Sequence, residues 1–126
     1  MMIAAILESG RLERLYTGLS VLVSAAADGR PARGLVSFGA LGPMLEPDLR
    51  AVAAGSAAVA DAETFARSLA ELRDTARELE DCRLWACAAA VDLTGADPAA
   101  IVERLDGVMS TPRFLREVAG AELVVV

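Results

Sequence analysis

The sequence predicts an α/β domain, a three-layer α/β/α sandwich around a mostly parallel sheet of about five strands. Three observations carry this. Short apolar runs alternate with segments whose apolar residues recur every three or four positions, the pattern of strands separated by amphipathic helices. The first run is apolar throughout, as in a strand buried on both faces. Residues 1–126 keep one composition, with no linker or internal repeat, at a length typical of one domain.

Each element has its own signal. Residues 2–7 form a continuous apolar run that stops at Glu8, Ser9 and Gly10, which predicts the first strand. Leu12, Leu15, Tyr16, Leu19, Leu22, Val23 and Ala26 then place one apolar stripe along a helix, and Asp28 with Gly29 supplies its stop. Residues 33–38 are the second strand, with Phe38 inside it and in the core. Residues 39–43 turn the chain, and residues 44–54 suit a short helix. Residues 51–60 are small and broken by Gly55 and Ser56, a loop or a weak helix and the best candidate for disorder.

Asp61 or Thr64 caps the next helix, whose stripe is Phe65, Leu69, Leu72, Ala76 and Leu79. Its outer face offers ion pairs one turn apart, Glu63 with Arg67, Arg67 with Glu71 and Arg77 with Asp81, which read as a solvated face. Residues 83–86 lead into Cys87 as the third strand, with Trp85 in the core. Residues 88–94 form a helical turn closed by Gly95. Asp97 before Pro98 starts a further helix carrying Ile101, Val102 and Leu105, with Gly107 as its end. Val108 and Met109 make a minimal fourth strand. Thr111 before Pro112 repeats the cap-and-proline start, Gly120 stops that helix, and residues 122–126 are the last strand.

Composition excludes much chemistry. All 12 cationic side chains are arginine, and lysine, histidine, asparagine and glutamine are absent. No Ser-His-Asp or Cys-His relay, Schiff base, P-loop lysine or histidine metal ligand can be built. The net charge of −6 and pI near 4.6 disfavour nucleic acid and anionic membrane surfaces, and 4% aromatic residues offer no stacking platform for bases. Mean hydropathy is high at +0.44, but the longest uncharged run, residues 15–27, falls short of the roughly 18 apolar residues a spanning helix needs. The first residues carry neither the basic leader nor the long apolar stretch of a signal peptide. A cytoplasmic protein is the expectation, with no cofactor and no metal.

In a parallel sheet the strand-to-helix loops emerge on one edge, where ligands bind. The loop residues there are Ser9 and Gly10, then Phe38 and Gly39, then Cys87 and Ala88. Cys87 is the one strongly nucleophilic residue type on that edge. It precedes a helical turn whose N–H groups favour a thiolate, and it equally suits a small buried side chain filling a gap. Cys82 lies at the other end of the same strand. An extended chain separates their Cα atoms by roughly 16 Å, beyond the approximately 7 Å limit for a disulfide. The pair also lacks Cys-x-x-Cys spacing, so neither a redox couple nor a zinc knuckle is supported. Ser9 can contact a substrate or cap the first helix. Asp92, Asp97 and Asp106 read as turn and cap residues.

Three segments carry a resemblance to a known family: Ala25 through Asp28 and Gly29 before the second strand, Val36-Ser-Phe-Gly-Ala-Leu41 followed by Met44 and Leu45, and Leu84-Trp-Ala-Cys-Ala-Ala-Ala-Val-Asp-Leu-Thr-Gly95. With the closing helix and strand they resemble the DsrE/DsrF-like family, which includes TusD-type sulfur-relay and YchN-like proteins. The resemblance spans almost the whole chain, and its third segment is the most specific. It implies a five-stranded parallel domain that assembles as a homotrimer or homohexamer and works with sulfur donor and acceptor proteins. Cys87 matches the family's sulfur-carrying cysteine, which holds sulfane sulfur as a persulfide. Ser9, Gly10, Phe38, Gly39, Met44 and Ala88 are then the candidate lining of its pocket. Two functions fit: a sulfur-relay carrier, or a non-catalytic oligomeric binding or scaffold subunit with Cys87 packed and inert.

Overall fold

Ile3–Leu7 (β1) is an interior strand of the sheet, and four of its five residues are buried. A computed structural model of the chain describes residues 1–53 and 59–126. After β1 come Leu12–Ala27 (α1), Ala32–Val36 (β2), a 3-10 turn at Phe38–Ala40, Leu41–Leu45 (α2), Arg50–Ala53 (α3) and Ala62–Glu78 (α4). The second half holds Cys82–Cys87 (β3), Ala88–Thr94 (α5), Pro98–Arg104 (α6), Val108–Met109 (β4), Thr111–Glu117 (α7) and Glu122–Val125 (β5). The sheet order is β4-β3-β2-β1-β5, with every pairing parallel. The predicted α/β/α sandwich with five strands is the observed fold.

Strand periodicity assigns the two faces. Ile3, Ala5 and Leu7 align with Ala32, Gly34 and Val36, and these with Cys82, Leu84 and Ala86. This face carries α1 and α4. At Gly34 an added Cβ would lie 2.5 Å from Leu84 Cδ2 and 3.0 Å from Leu22 Cδ1, so only glycine lets α1 lie this close. The α6 helix lies beside α4, sharing a crevice lined by Arg73, Asp74, Arg77, Glu103 and Arg104. The opposite face carries Leu35, Trp85 and Cys87, and there α7 supplies the other layer: Phe114, fully buried, meets Trp85 edge-on at 6.3 Å.

Local expectations hold with shifts that have physical causes. Asp61 caps α4, accepting from the N–H groups of Glu63 and Thr64, and Asp97 caps α6 ahead of Pro98. The cap of α7 is Ser110, whose Oγ accepts from Arg113 N–H at 3.3 Å, rather than Thr111. The helix expected over residues 44–54 is not continuous. It ends at Leu45, because Glu46 is extended before Pro47, and a new turn begins at Arg50. Arg73 seals that break: its Nη1 donates to the carbonyls of Pro43 and Glu46, both at 2.7 Å, while its side chain is buried. Of the weakly patterned residues 51–60, residues 54–58 lie outside those described, and Arg50–Ala53 is helical. The helix expected to end at Gly107 stops at Arg104.

The solvated pairs expected along α4 do not close to ion-pair distance among the described residues. Arg77 instead reaches Asp106 at 2.9 Å, and Arg83 joins from 3.6 Å. Asp106 is more than a turn residue. Its Oδ2 accepts from Leu84 N–H at 2.8 Å and its own N–H donates to Leu84 O at 2.7 Å. It thereby extends the ladder of a strand only two residues long.

Candidate functional site

The carboxyl edge is assembled by register. Val36 pairs with Ala86, so the next residues, Ser37 and Cys87, stand side by side, and Cys87 pairs with Met109 on its other flank. Thr111 follows two residues later at the start of α7. The ends of β2, β3 and β4 and the start of α7 thus meet around one thiol.

Backbone contacts fix this edge. Ser37 N–H donates to Leu7 O at 2.8 Å, and its carbonyl accepts from Ala40 N–H at 3.0 Å. Phe38 then takes φ +32°, the only positive value at a non-glycine residue among those described, which is a strained conformation for a bulky side chain. A Cβ on Gly39 would stand 2.6 Å from Gly10 N and 3.0 Å from Glu8 O. The loop after β1 and the turn after β2 therefore touch backbone to backbone, which only glycine permits. Val126 O ties the same loop down by accepting from the N–H groups of Glu8 and Ser9.

Cys87 ends β3 and occupies the N-cap position of α5. It is buried, with 4% of its surface exposed, but its neighbours Phe38, Ala89 and Thr111 are exposed, so the thiol sits one side chain below the surface. Thr111 Oγ1 lies 3.8 Å from Sγ. Burial alone would push this thiol up. The N–H of Ala90, the hydroxyls of Thr111 and Ser37 and the N–H of Ala89 together outweigh it and hold the thiol below its ordinary value. In the neutral thiol no helix N–H makes a full capping bond to Sγ, so their effect is that of dipoles awaiting a negative charge. The donors that lower it are all neutral.

Cys82 has the opposite environment. At 2% exposure, burial first and the Asp106 carboxylate second push its thiol up to about 11. Both cysteines are free thiols.

Of the other residues expected at the site, Ser9, Gly10, Gly39 and Ala88 lie on this edge. Ser9 Oγ accepts from Arg11 N–H at 3.1 Å, a local turn at the start of α1, and Ala88 is half-buried. Two expectations need correction. Phe38 is neither in a strand nor in the core: it belongs to the 3-10 turn and is 44% exposed, because its positive φ turns the chain out of the sheet. Met44 does not line an accessible pocket, since it has no exposed surface and is part of the hydrophobic core. Sequence reasoning missed Ser37 and Thr111 as functional neighbours of Cys87. Strand register was the available signal for Ser37, while Thr111 depends on α7 crossing the sheet.

Among the described residues no group of three or more Cys, Asp or Glu side chains converges as a metal site, and no helix is long and apolar enough to cross a membrane. No protein-family model and no curated protein matches the chain.

Proposed function

We propose that this chain is a sulfur-relay protein of the DsrE/DsrF-like kind, accepting sulfane sulfur on Cys87 and passing it to a partner thiol. The observation that supports this reading best is the contrast between the two thiols. Cys87, at the carboxyl edge, is surrounded by neutral donors that favour its anion, whereas Cys82 is held protonated. The thiolate is the nucleophile in sulfur exchange, and the donors at this site favour it without histidine or lysine.

In the loading step Cys87 Sγ attacks the outer sulfur of a donor persulfide. A new S–S bond forms to Sγ, the donor's S–S bond breaks, and the donor leaves as a thiolate. In the second step an acceptor thiolate attacks the outer sulfur of Cys87-S-SH, takes that sulfur and its proton, and releases Cys87 as the thiolate. No electrons are gained or lost overall, and neither step uses a cofactor. Sulfur donor and acceptor proteins are the partners in this reading, and the chain works as a homotrimer or homohexamer in the cytoplasm.

The 4% exposure of Cys87 favours a second reading, a scaffold or binding subunit in which this thiol is inert. Intact-mass measurement after incubation with inorganic polysulfide separates the two. The carrier reading expects the mass of added sulfur on the parent chain and on Cys82→Ala, and none on Cys87→Ser. If the native parent takes up neither sulfur nor iodoacetamide at Cys87, the carrier reading is wrong.

A further inference from the structure

The donors around Cys87 come from separate parts of the chain. Ala89 and Ala90 belong to α5 and would face any residue in the N-cap position. The hydroxyls are different. Ser37 is 7% exposed, a polar side chain buried at an apolar sheet end, and its backbone is pinned on both sides by Leu7 and Ala40. The strained Phe38 and the Gly10 to Gly39 contact follow it directly. Thr111 arrives from the opposite direction, at the start of α7, with Oγ1 3.8 Å from Sγ. Ser110, not Thr111, caps that helix, and among the described residues the sulfur is the hydrogen-bond partner of the Thr111 hydroxyl.

We propose that the Ser37 and Thr111 hydroxyls are positioning residues that stabilise the anionic form of Cys87 Sγ, both for attack and as the leaving group. The inference rests on the carrier reading above for its second half. In sulfur release the bond that breaks is the one between Sγ and the outer sulfur, and the electron pair stays on Sγ. Two hydroxyls donating to that developing charge speed departure, because a better-stabilised thiolate leaves faster. They are thus expected to matter more for giving sulfur away than for holding it. The groups facing Sγ are the Ser37 hydroxyl from the turn after β2, the N–H groups of Ala89 and Ala90 from α5, and the Thr111 hydroxyl from α7. All of these donors are neutral.

The test uses Cys82→Ala as parent, so that one thiol reports, and adds Ser37→Ala, Thr111→Val, both together, and Thr111→Ser. The rate of iodoacetamide alkylation is followed against pH, with circular dichroism checking that each variant is folded. The midpoint is expected to move upward in each single variant and furthest in the double, while Thr111→Ser keeps the parent's midpoint. On polysulfide-loaded protein, sulfur release to dithiothreitol is expected to slow by roughly threefold in each single variant. A folded double variant with the parent's midpoint overturns the proposal, as does a folded Thr111→Ser that behaves like Thr111→Val. If the parent never loads sulfur, the carrier reading falls, and the alkylation profiles still decide whether the hydroxyls hold the anion.

Discussion

At the scale of single residues, the two cysteines show how a few ångströms of sheet change one functional group into two. Cys82 begins β3 beneath α1 and α4, where burial outweighs every attraction. Cys87 ends the same strand, where the sheet stops and dipoles point in. Because the Cys82 thiol is pushed from 9.0 up to about 11, the folded state holds its proton longer than the unfolded chain does. Its contribution to stability is complete below about pH 9 and is lost as pH rises through 11, by roughly 2 to 3 kcal/mol. The chain has no lysine to titrate in that window. Urea unfolding of the parent should therefore weaken between pH 8 and pH 11 more steeply than that of Cys82→Ala, and parallel curves would show that this thiol ionises freely.

At the scale of elements, the weakest strand is held by a side chain. With only Val108 and Met109 in β4, the ladder beside β3 is completed by Asp106, which accepts from Leu84 N–H and pairs with Arg77 and Arg83. Leu84 is buried, so removing the carboxylate strands an N–H group away from water, at a cost of about 2 kcal/mol. Asp106→Ala should lower the urea midpoint accordingly. Arg83→Ala, which removes only an exposed partner at 3.6 Å, should change stability by less than about 1 kcal/mol. Equal effects from the two substitutions would mean that the ion pair, not the ladder bond, carries the energy. The position of β4 sets that of Thr111, so this edge also supports the site.

At the scale of the whole molecule, the two faces of the sheet are covered unequally. The first face lies under α1, α4 and α6. The second has α7 over β3, and among the described residues nothing covers the far edge: Leu123, Val124 and Val125 of β5 are 45%, 40% and 61% exposed. The N–H groups of Glu122 and Val126 bond to β1, so by strand alternation Leu123 and Val125 turn their backbone outward. Edge strands of proteins that remain monomeric are commonly guarded by lysine, proline or a bulge, whereas β5 carries only Glu122. This exposure supports the proposed homo-oligomer. Sedimentation at micromolar concentration should give a trimer or hexamer, and Val125→Arg should shift the population towards monomer. A parent chain that sediments as a monomer removes the assembly from the functional proposal.

Local sequence signals carry the order of strands and helices, the parallel sheet and the placing of Cys87 on its carboxyl edge. Apolar runs, helical periodicity and cap-and-proline pairs are local signals that survive without tertiary contacts. The sequence also separates the two cysteines, since an extended strand fixes their distance. What surrounds each side chain depends on contacts between residues far apart in the chain. Phe38 reads as the last residue of an apolar strand and as core, yet a positive φ in the turn that sets Gly39 against Gly10 leaves it exposed. Met44, close in sequence to the loop, is drawn into the core by α2. No local pattern marks Arg73 as buried, but the helix break before Pro47 leaves carbonyls that its guanidinium satisfies. Ser37 and Thr111 reach one sulfur only because strand register and a helix crossing the sheet bring distant residues together, and electrostatics at a thiol depends on such proximity in space.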